Sequence, residues 1–289
     1  ISMEQCSSEA TALYKASLAG GTRLADLTGG FGIDFSYLAR GFKEAIYVER
    51  NPLLCDIARE NLALLGLQQA TIVNGNSEEV LPTLPKLDWI FIDPARRDGD
   101  GRKVVALADC EPNVAALEET LLSKATRVMI KCSPMLDITA ARRELRHIEA
   151  IHIVAVKNEC KELLFILSQD GCKSPATHCI NLLPGSIEQF SFTAEEEMQS
   201  AAAYANEVQS YLYEPNAAIQ KAGGFHSLTA ATGAAKLHPN SHLFTSDNLI
   251  ESFPGRRFKV VEVHGFSKED IKKISALGKA NITVRNFPE

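Results

Sequence analysis

Short apolar runs that end in polar residues alternate with amphipathic stretches through the first part of the chain. Leu24-Ala25 ends at Asp26, Ala45 to Val48 ends at Glu49, ATIV at 70–73 ends at Asn74, and LDWIFI at 87–92 ends at Asp93-Pro94. Between the second and third runs, Pro52 to Leu65 has helical spacing, its inward face passing through Leu54, Ile57, Ala58, Asn61, Leu62 and Leu65. A second helix is predicted through Val114, Leu117, Leu121 and Leu122, then a fifth strand at Arg127 to Lys131. IHIVAVKN (151–158) and ELLFILSQ (162–169) form a closing β pair separated by Glu159-Cys160-Lys161, and CINLL and QFSF add strand-like runs around Pro184-Gly185. Strands alternating with helices predict a doubly wound α/β sheet, whose ligand side lies at the carboxyl ends of its strands. At the amino end, MEQCSSEATALYKA (3–16) turns from polar to helical, with Ser7 or Ser8 as N-cap and Glu9 and Thr11 in or near the first turn.

A domain boundary is expected near Thr193, separating residues 1–192 from 193–289. There a Glu- and Ala-rich stretch, AEEEMQSAAAYANEVQSYL, predicts a helix. FKVVEVHGF, SKEDIKKISALGK and ITVRNF then give strand, helix and strand, half of a ferredoxin-like α+β module.

The densest chemistry lies in LADLTGGFGID, residues 24–34. Glycine permits a tight turn and close approach to a ligand, so Gly29, Gly30 and Gly32 after a strand read as a nucleotide cradle or as an ordinary strand-to-helix turn. A dinucleotide fingerprint starting at Gly30 would need glycine at 35, where the chain has Phe35. Glu49 stands where a carboxylate accepts two ribose hydroxyls, and Asn74, Asn76 and Ser77 could reach an adenine edge.

Asp26 ahead of the glycines, Thr28 within the turn, and Glu49-Arg50 after the second strand together resemble the cofactor-binding elements of class I S-adenosylmethionine-dependent methyltransferases. DPARR (93–97), YLYEPNAAI (211–219) and FPGRRFKV (253–260) resemble one bacterial family of these enzymes, which carries a C-terminal domain similar to the RNA-binding THUMP module. The methyltransferase resemblance covers roughly residues 5–170. It implies a Rossmann-like doubly wound sheet with a smaller THUMP-like domain and S-adenosylmethionine as cofactor; the substrate does not carry over from the family, and RNA (tRNA or rRNA) is expected from the basic C-terminal module. Gln5, Ser7 and Ser8 would then contact the methionine carboxylate of the cofactor or simply cap the first helix.

Asp93 and Pro94 match the turn with which amino-group methyltransferases accept the hydrogens of an amine. Ala95 and Arg96 depart from it, removing the aromatic platform for a base, although an Arg guanidinium at 96 or 97 can stack on a base or pair with a phosphate. A salt-bridged loop is the plain alternative for both arginines. A second mechanism stays open, because DPARR followed by VMIKCSP (128–134) looks like the motif pair of RNA 5-methyluridine methyltransferases. On that reading Cys132 attacks the ring and Lys131 lowers its pKa; otherwise Cys132 is a small buried residue. The alternative function class is a non-catalytic RNA- or protein-binding module, and methylation of a small molecule or a protein is the third choice.

Composition adds limits. The 289 residues predict two domains, and the absence of a long apolar run or a signal peptide predicts a cytoplasmic, membrane-free protein. The 7 cysteines form no C-x-x-C pair, against a disulfide framework or a zinc site, and no metal is expected. Net charge is −6, yet residues 250–285 hold eight basic residues (Arg256, Arg257, Lys259, Lys268, Lys272, Lys273, Lys279, Arg285) against four acids, a net of +4. That is a nucleic-acid footprint or a solvated face. Both ends look cut, as in a fragment of a longer protein.

Overall fold

Nine strands form the main sheet of the computed structural model, which describes residues 6–96, 106–201, 203–265 and 267–276. They are β1 (Arg23–Asp26), β2 (Glu44–Glu49), β3 (Ala70–Asn74), β4 (Leu87–Ile92), β5 (Ala125–Cys132), β6 (Ile148–Val156), β7 (Glu159–Ser168), β8 (Ala176–Leu183) and β9 (Ser186–Thr193). Their order is β9-β8-β6-β7-β5-β4-β1-β2-β3. The five strands from β3 to β5 run parallel, and β7 is antiparallel to both its neighbours. This mixed sheet is the Rossmann-like arrangement that the sequence resemblance implied. Strands covered on both faces carry continuous apolar runs, which is why Trp89 to Ile92 are all buried.

Helices α1 (Glu9–Leu18), α2 (Ile33–Leu38), α3 (Pro52–Leu64), α4 (Ser77–Val80), α5 (Val114–Lys124) and α6 (Ile138–Glu144) complete this unit. The Ser8 hydroxyl caps α1, accepting the Thr11 N–H at 3.3 Å. Asn51 caps α3 ahead of Pro52, and α3 buries Cys55, Ala58 and Leu62. The stripe is therefore rotated from the predicted one: Leu65 is half exposed because α3 stops at Leu64, before Gly66 turns left-handed at φ +73°.

Three expectations change in the structure. The β6–β7 turn sits on Lys157 and Asn158, both at positive φ, so Glu159-Cys160-Lys161 belong to β7. The pair β6–β7 does not close the sheet, because β8 and β9 extend it, β8 pairing parallel to β6. The helix at 194–212 shrinks to α7 (Ala194–Gln199), and Tyr211 and Leu212 enter a strand. Composition favoured a helix there, but the alternating aromatics of YLYEP pack into a sheet.

By contacts the chain divides at Thr193, into units Ile1–Thr193 and Ala194–Glu289. The second unit holds a small antiparallel sheet of β10 (Tyr211–Pro215), β11 (Ala235–Lys236), β12 (Phe244–Ser246) and β13 (Gly255–Lys259), in the order β11-β12-β10-β13. With α8 (Ala217–Ala222) and α9 (Phe225–Thr232) it encloses Tyr213, Phe244 and Phe253, the Tyr213 and Phe253 rings 4.7 Å apart. Helix α10 (Lys268–Ser275) follows β13. Of the predicted strand, helix and strand, only Phe258-Lys259 and the helix appear; ITVRNF lies outside the described residues.

Candidate functional site

The carboxyl ends of β1, β2, β3 and β4 open on a cleft of about 630 Å³, a figure that takes in its open mouth. Thr28, Gly30, Glu49, Arg50, Asn76, Ser77 and Asp93 line it, together with Ala95, Glu111 and Pro112 on the far wall. That wall is a two-residue ribbon in which Ala95 and Arg96 pair with Glu111 and Cys110. Arg97 lies outside the described residues.

The glycine turn is built on side chains as much as on backbone. An added Cβ at Gly29 would lie 2.1 Å from Tyr47 Cε2, so the ring occupies the space a side chain would need. The Tyr47 hydroxyl donates to the Gly30 carbonyl, and Gly32 begins α2 at φ +77°. Phe35, at the place the dinucleotide fingerprint keeps for glycine, is fully buried against Tyr47 with ring centres 5.5 Å apart.

Carboxylates fix this turn from both sides. Asp26 Oδ1 accepts the Thr28 N–H at 2.9 Å, and Thr28 Oγ1 accepts the Asp93 N–H at 2.6 Å. Asp26 is fully buried, and burial pushes its carboxyl up to about 8 against the opposing Thr28 N–H. Glu49 Oε2 accepts the Gly30 N–H at 2.9 Å and Oε1 the Asn51 N–H at 2.8 Å. Each oxygen retains a second lone pair, so this ordered carboxylate could hold a ribose diol. Arg50 reaches across to Glu111 at 2.7 Å. Asn74 does not line the cleft: its amide donates to the Glu49 and Arg50 carbonyls at 2.9 and 3.1 Å. Asn76 does, while its side chain caps α4 through the Glu78 N–H at 2.8 Å.

A chain described as a candidate methyltransferase from Porphyromonas gingivalis W83 is 38% identical in sequence, with a TM-score of 0.92 over 99% of this chain and 73% of that one. The chain belongs to the S-adenosylmethionine-dependent methyltransferases. An uncharacterized enzyme of that name from Mycobacterium tuberculosis is 25% identical over 98% of this chain and 75% of its own length. A family described as Conserved hypothetical protein 95 matches residues 13–154, and a ferredoxin-like domain matches residues 211–254. The ferredoxin-like region thus lies upstream of the segment in which the sequence pattern placed it, on strands too short to show as alternating runs.

The residues of the cleft fit the methyltransferase cofactor. Glu49, Glu78, Asp93 and Glu111 outnumber Arg50 around it, favourable for a ligand that carries a sulfonium and an ammonium, and Glu49 offers acceptors to a diol.

Of the two readings of Cys132, the structure agrees with the small buried residue, since burial outweighs the lowering effect of Lys131. The Lys131 ammonium is engaged by Asp93 Oδ2 at 2.6 Å and Asp34 Oδ2 at 3.3 Å, and burial pushes the Cys132 thiol well above its ordinary value. Three further charged residues were missed by the sequence reading: Lys15, Asp34 and Glu162, which share ion pairs behind Asp93. One signal existed, since Lys15 falls one helical turn from Thr11 and Ala12, on the inward face of α1. Ser7 joins this group through Asp34 at 2.8 Å, and Gln5 lies outside the described residues. No described helix is long and apolar enough to cross a membrane.

Proposed function

We propose that this methyltransferase modifies an exocyclic amino group of a base in RNA, tRNA or rRNA, with the second unit as a THUMP-like module that holds the substrate. The observation that carries the reading is Asp93: a carboxylate at the end of β4, in the cleft, with its N–H on Thr28 and one oxygen on Lys131. A carboxylate so held accepts an amine N–H and aims the nitrogen lone pair. Bound S-adenosylmethionine supplies a methyl already activated on a sulfonium, so positioning contributes most of the remaining catalysis. Asp93 would hold the amine through its N–H and keep the nitrogen aimed at that methyl, and the proton given up by the methylated amine would pass to water. Asp26, Thr28, Gly29, Gly30, Gly32, Glu49, Arg50, Asn76 and Ser77 are assigned to the cofactor, with Asn74 supporting the end of β2. Asp93, Pro94 and Arg96 are assigned to the substrate.

The basic surface supports RNA. Arg256, Arg257 and Lys259 are exposed on β13, and Lys268, Lys272 and Lys273 on α10. Lys279 and Arg285 lie outside the described residues. Carbon methylation through Cys132 is the weaker reading, because a buried thiol with a raised pKa supplies little thiolate. Mass spectrometry of RNA nucleosides from a deletion strain tests the proposal: loss of an N-methylated base supports it, and an unchanged nucleoside profile overturns it.

A further inference from the structure

Behind the cleft, acids and lysines alternate in a single chain of contacts. The Lys15 ammonium, fully buried, lies 2.7 Å from both Glu162 oxygens and 3.2 Å from Asp34 Oδ1. Asp34 Oδ2 accepts from Ser7 Oγ at 2.8 Å and from Lys131 Nζ at 3.3 Å, and Lys131 ends on Asp93 Oδ2 at 2.6 Å. Only the Asp93 end meets solvent appreciably: its side chain is 39% exposed, against 12% for Lys131 and 11% for Asp34. Enclosing the other four ionisable groups costs several kcal/mol each before pairing, and apolar residues would join α1 to the sheet at lower cost. A purely structural role leaves the direction of the chain, toward the cleft, unexplained.

We propose that Lys131, backed by Asp34, is a positioning residue for Asp93: it fixes one carboxylate oxygen and keeps the group ionised, so that Asp93 receives the substrate N–H as an acceptor instead of removing its proton. This rests on the reading of Asp93 as the residue that meets the methyl acceptor. The groups facing Asp93 are Lys131 and Cys132 from β5, Asp34 from α2, Asp26 and Thr28 from β1 and its turn, and Cys6 and Lys15 from the amino-terminal segment. Burial raises the Asp93 carboxyl, and Lys131 is the main group opposing that rise. Asp34 competes with Asp93 for the same ammonium. The two neighbours therefore act on Asp93 with opposite signs.

The test is a carboxyl ¹³C NMR titration of the full chain labelled at aspartate, with the Asp93 signal assigned by its loss in Asp93→Asn. Lys131→Met is expected to raise the Asp93 midpoint by more than about one pH unit, and Lys131→Arg to hold it near wild type. Asp34→Asn is expected to move it the other way, downward, because Lys131 then serves Asp93 alone. Damage to packing would not produce opposite signs, and Asp34→Asn keeps the test available if Lys131→Met does not fold. Midpoints that stay fixed, or that move together, overturn the proposal. These midpoints are read without substrate, so failure of the amine reading would show separately, as the wrong methylated product with the midpoints still displaced. With the true acceptor, kcat of Lys131→Met should fall about tenfold or more at pH 7 and recover toward higher pH.

Discussion

Glu49 accepts the backbone N–H of Gly30 at 2.9 Å, tying the end of β2 to the glycine turn that follows β1. The carboxylate proposed to receive a ribose therefore also holds the loop on which the cofactor would rest. Glu49→Ala should weaken S-adenosylmethionine binding at least about tenfold, since two charge-assisted hydrogen bonds are together worth roughly 3–5 kcal/mol. Glu49→Gln, which keeps an acceptor for Gly30, should lose less. Calorimetric titration giving wild-type affinity for the alanine variant would remove Glu49 from the cofactor site.

Asp93 and Cys132 separate two chemistries. Asp93→Ala should abolish turnover while Cys132→Ser remains active, because the amine reading needs the carboxylate and not the thiol. Carbon methylation predicts the reverse, together with a covalent adduct on RNA containing 5-fluorouracil. A band on a denaturing gel that requires Cys132 would decide for the second chemistry.

Asp26 should give the fold a pH signature. Its carboxyl sits at about 8 in the folded protein, above the ordinary value of 3.8. Below that ordinary value both folded and unfolded chains are protonated there. As pH rises toward 8 the unfolded chain loses the proton and the folded chain keeps it, so stability falls across that window. Asp26→Asn removes this slope while leaving an oxygen for the Thr28 N–H. Urea unfolding at pH 5 and pH 8 should show a larger loss for wild type than for the variant; equal losses would contradict the assignment.

If Arg257, Lys259, Lys272 and Lys273 meet phosphates, RNA affinity should fall steeply with salt, and each neutralised contact should flatten the log–log slope by about 0.7–0.9. Arg256 should contribute less, because Glu214 lies 3.5 Å from its guanidinium. Filter binding across a salt series measures this. Unaltered slopes in a charge-reversed variant would reduce the surface to a solvated face.

The strands that carry the site were readable because each is a buried apolar run stopped by a polar residue, a pattern that depends only on local sequence. Asp26, Glu49 and Asp93 could be placed at strand ends for that reason. What β8 pairs with, and how Lys15, Asp34 and Glu162 meet, depends on chain segments far apart in sequence, and no local period records it. The second unit was hardest, since β11 has two residues and β12 three, too few for alternation to register. For Cys132 the sequence left two readings open, because the charge of its neighbour Lys131 was visible while that charge's partners, Asp34 and Asp93, were not; the buried reading is the one the structure agrees with.

Gly29 and Tyr47 share one volume. A methyl group at 29 would fall inside the tyrosine ring, so Gly29 cannot grow while Tyr47 stays. In genetic terms they form a suppressor pair: revertants of Gly29→Ala should arise at Tyr47, through smaller residues that surrender the hydroxyl on Gly30 and recover only part of the lost function. The loop at the heart of the cleft is thus moulded on an aromatic side chain, and its shape passes from one generation to the next through two codons rather than one.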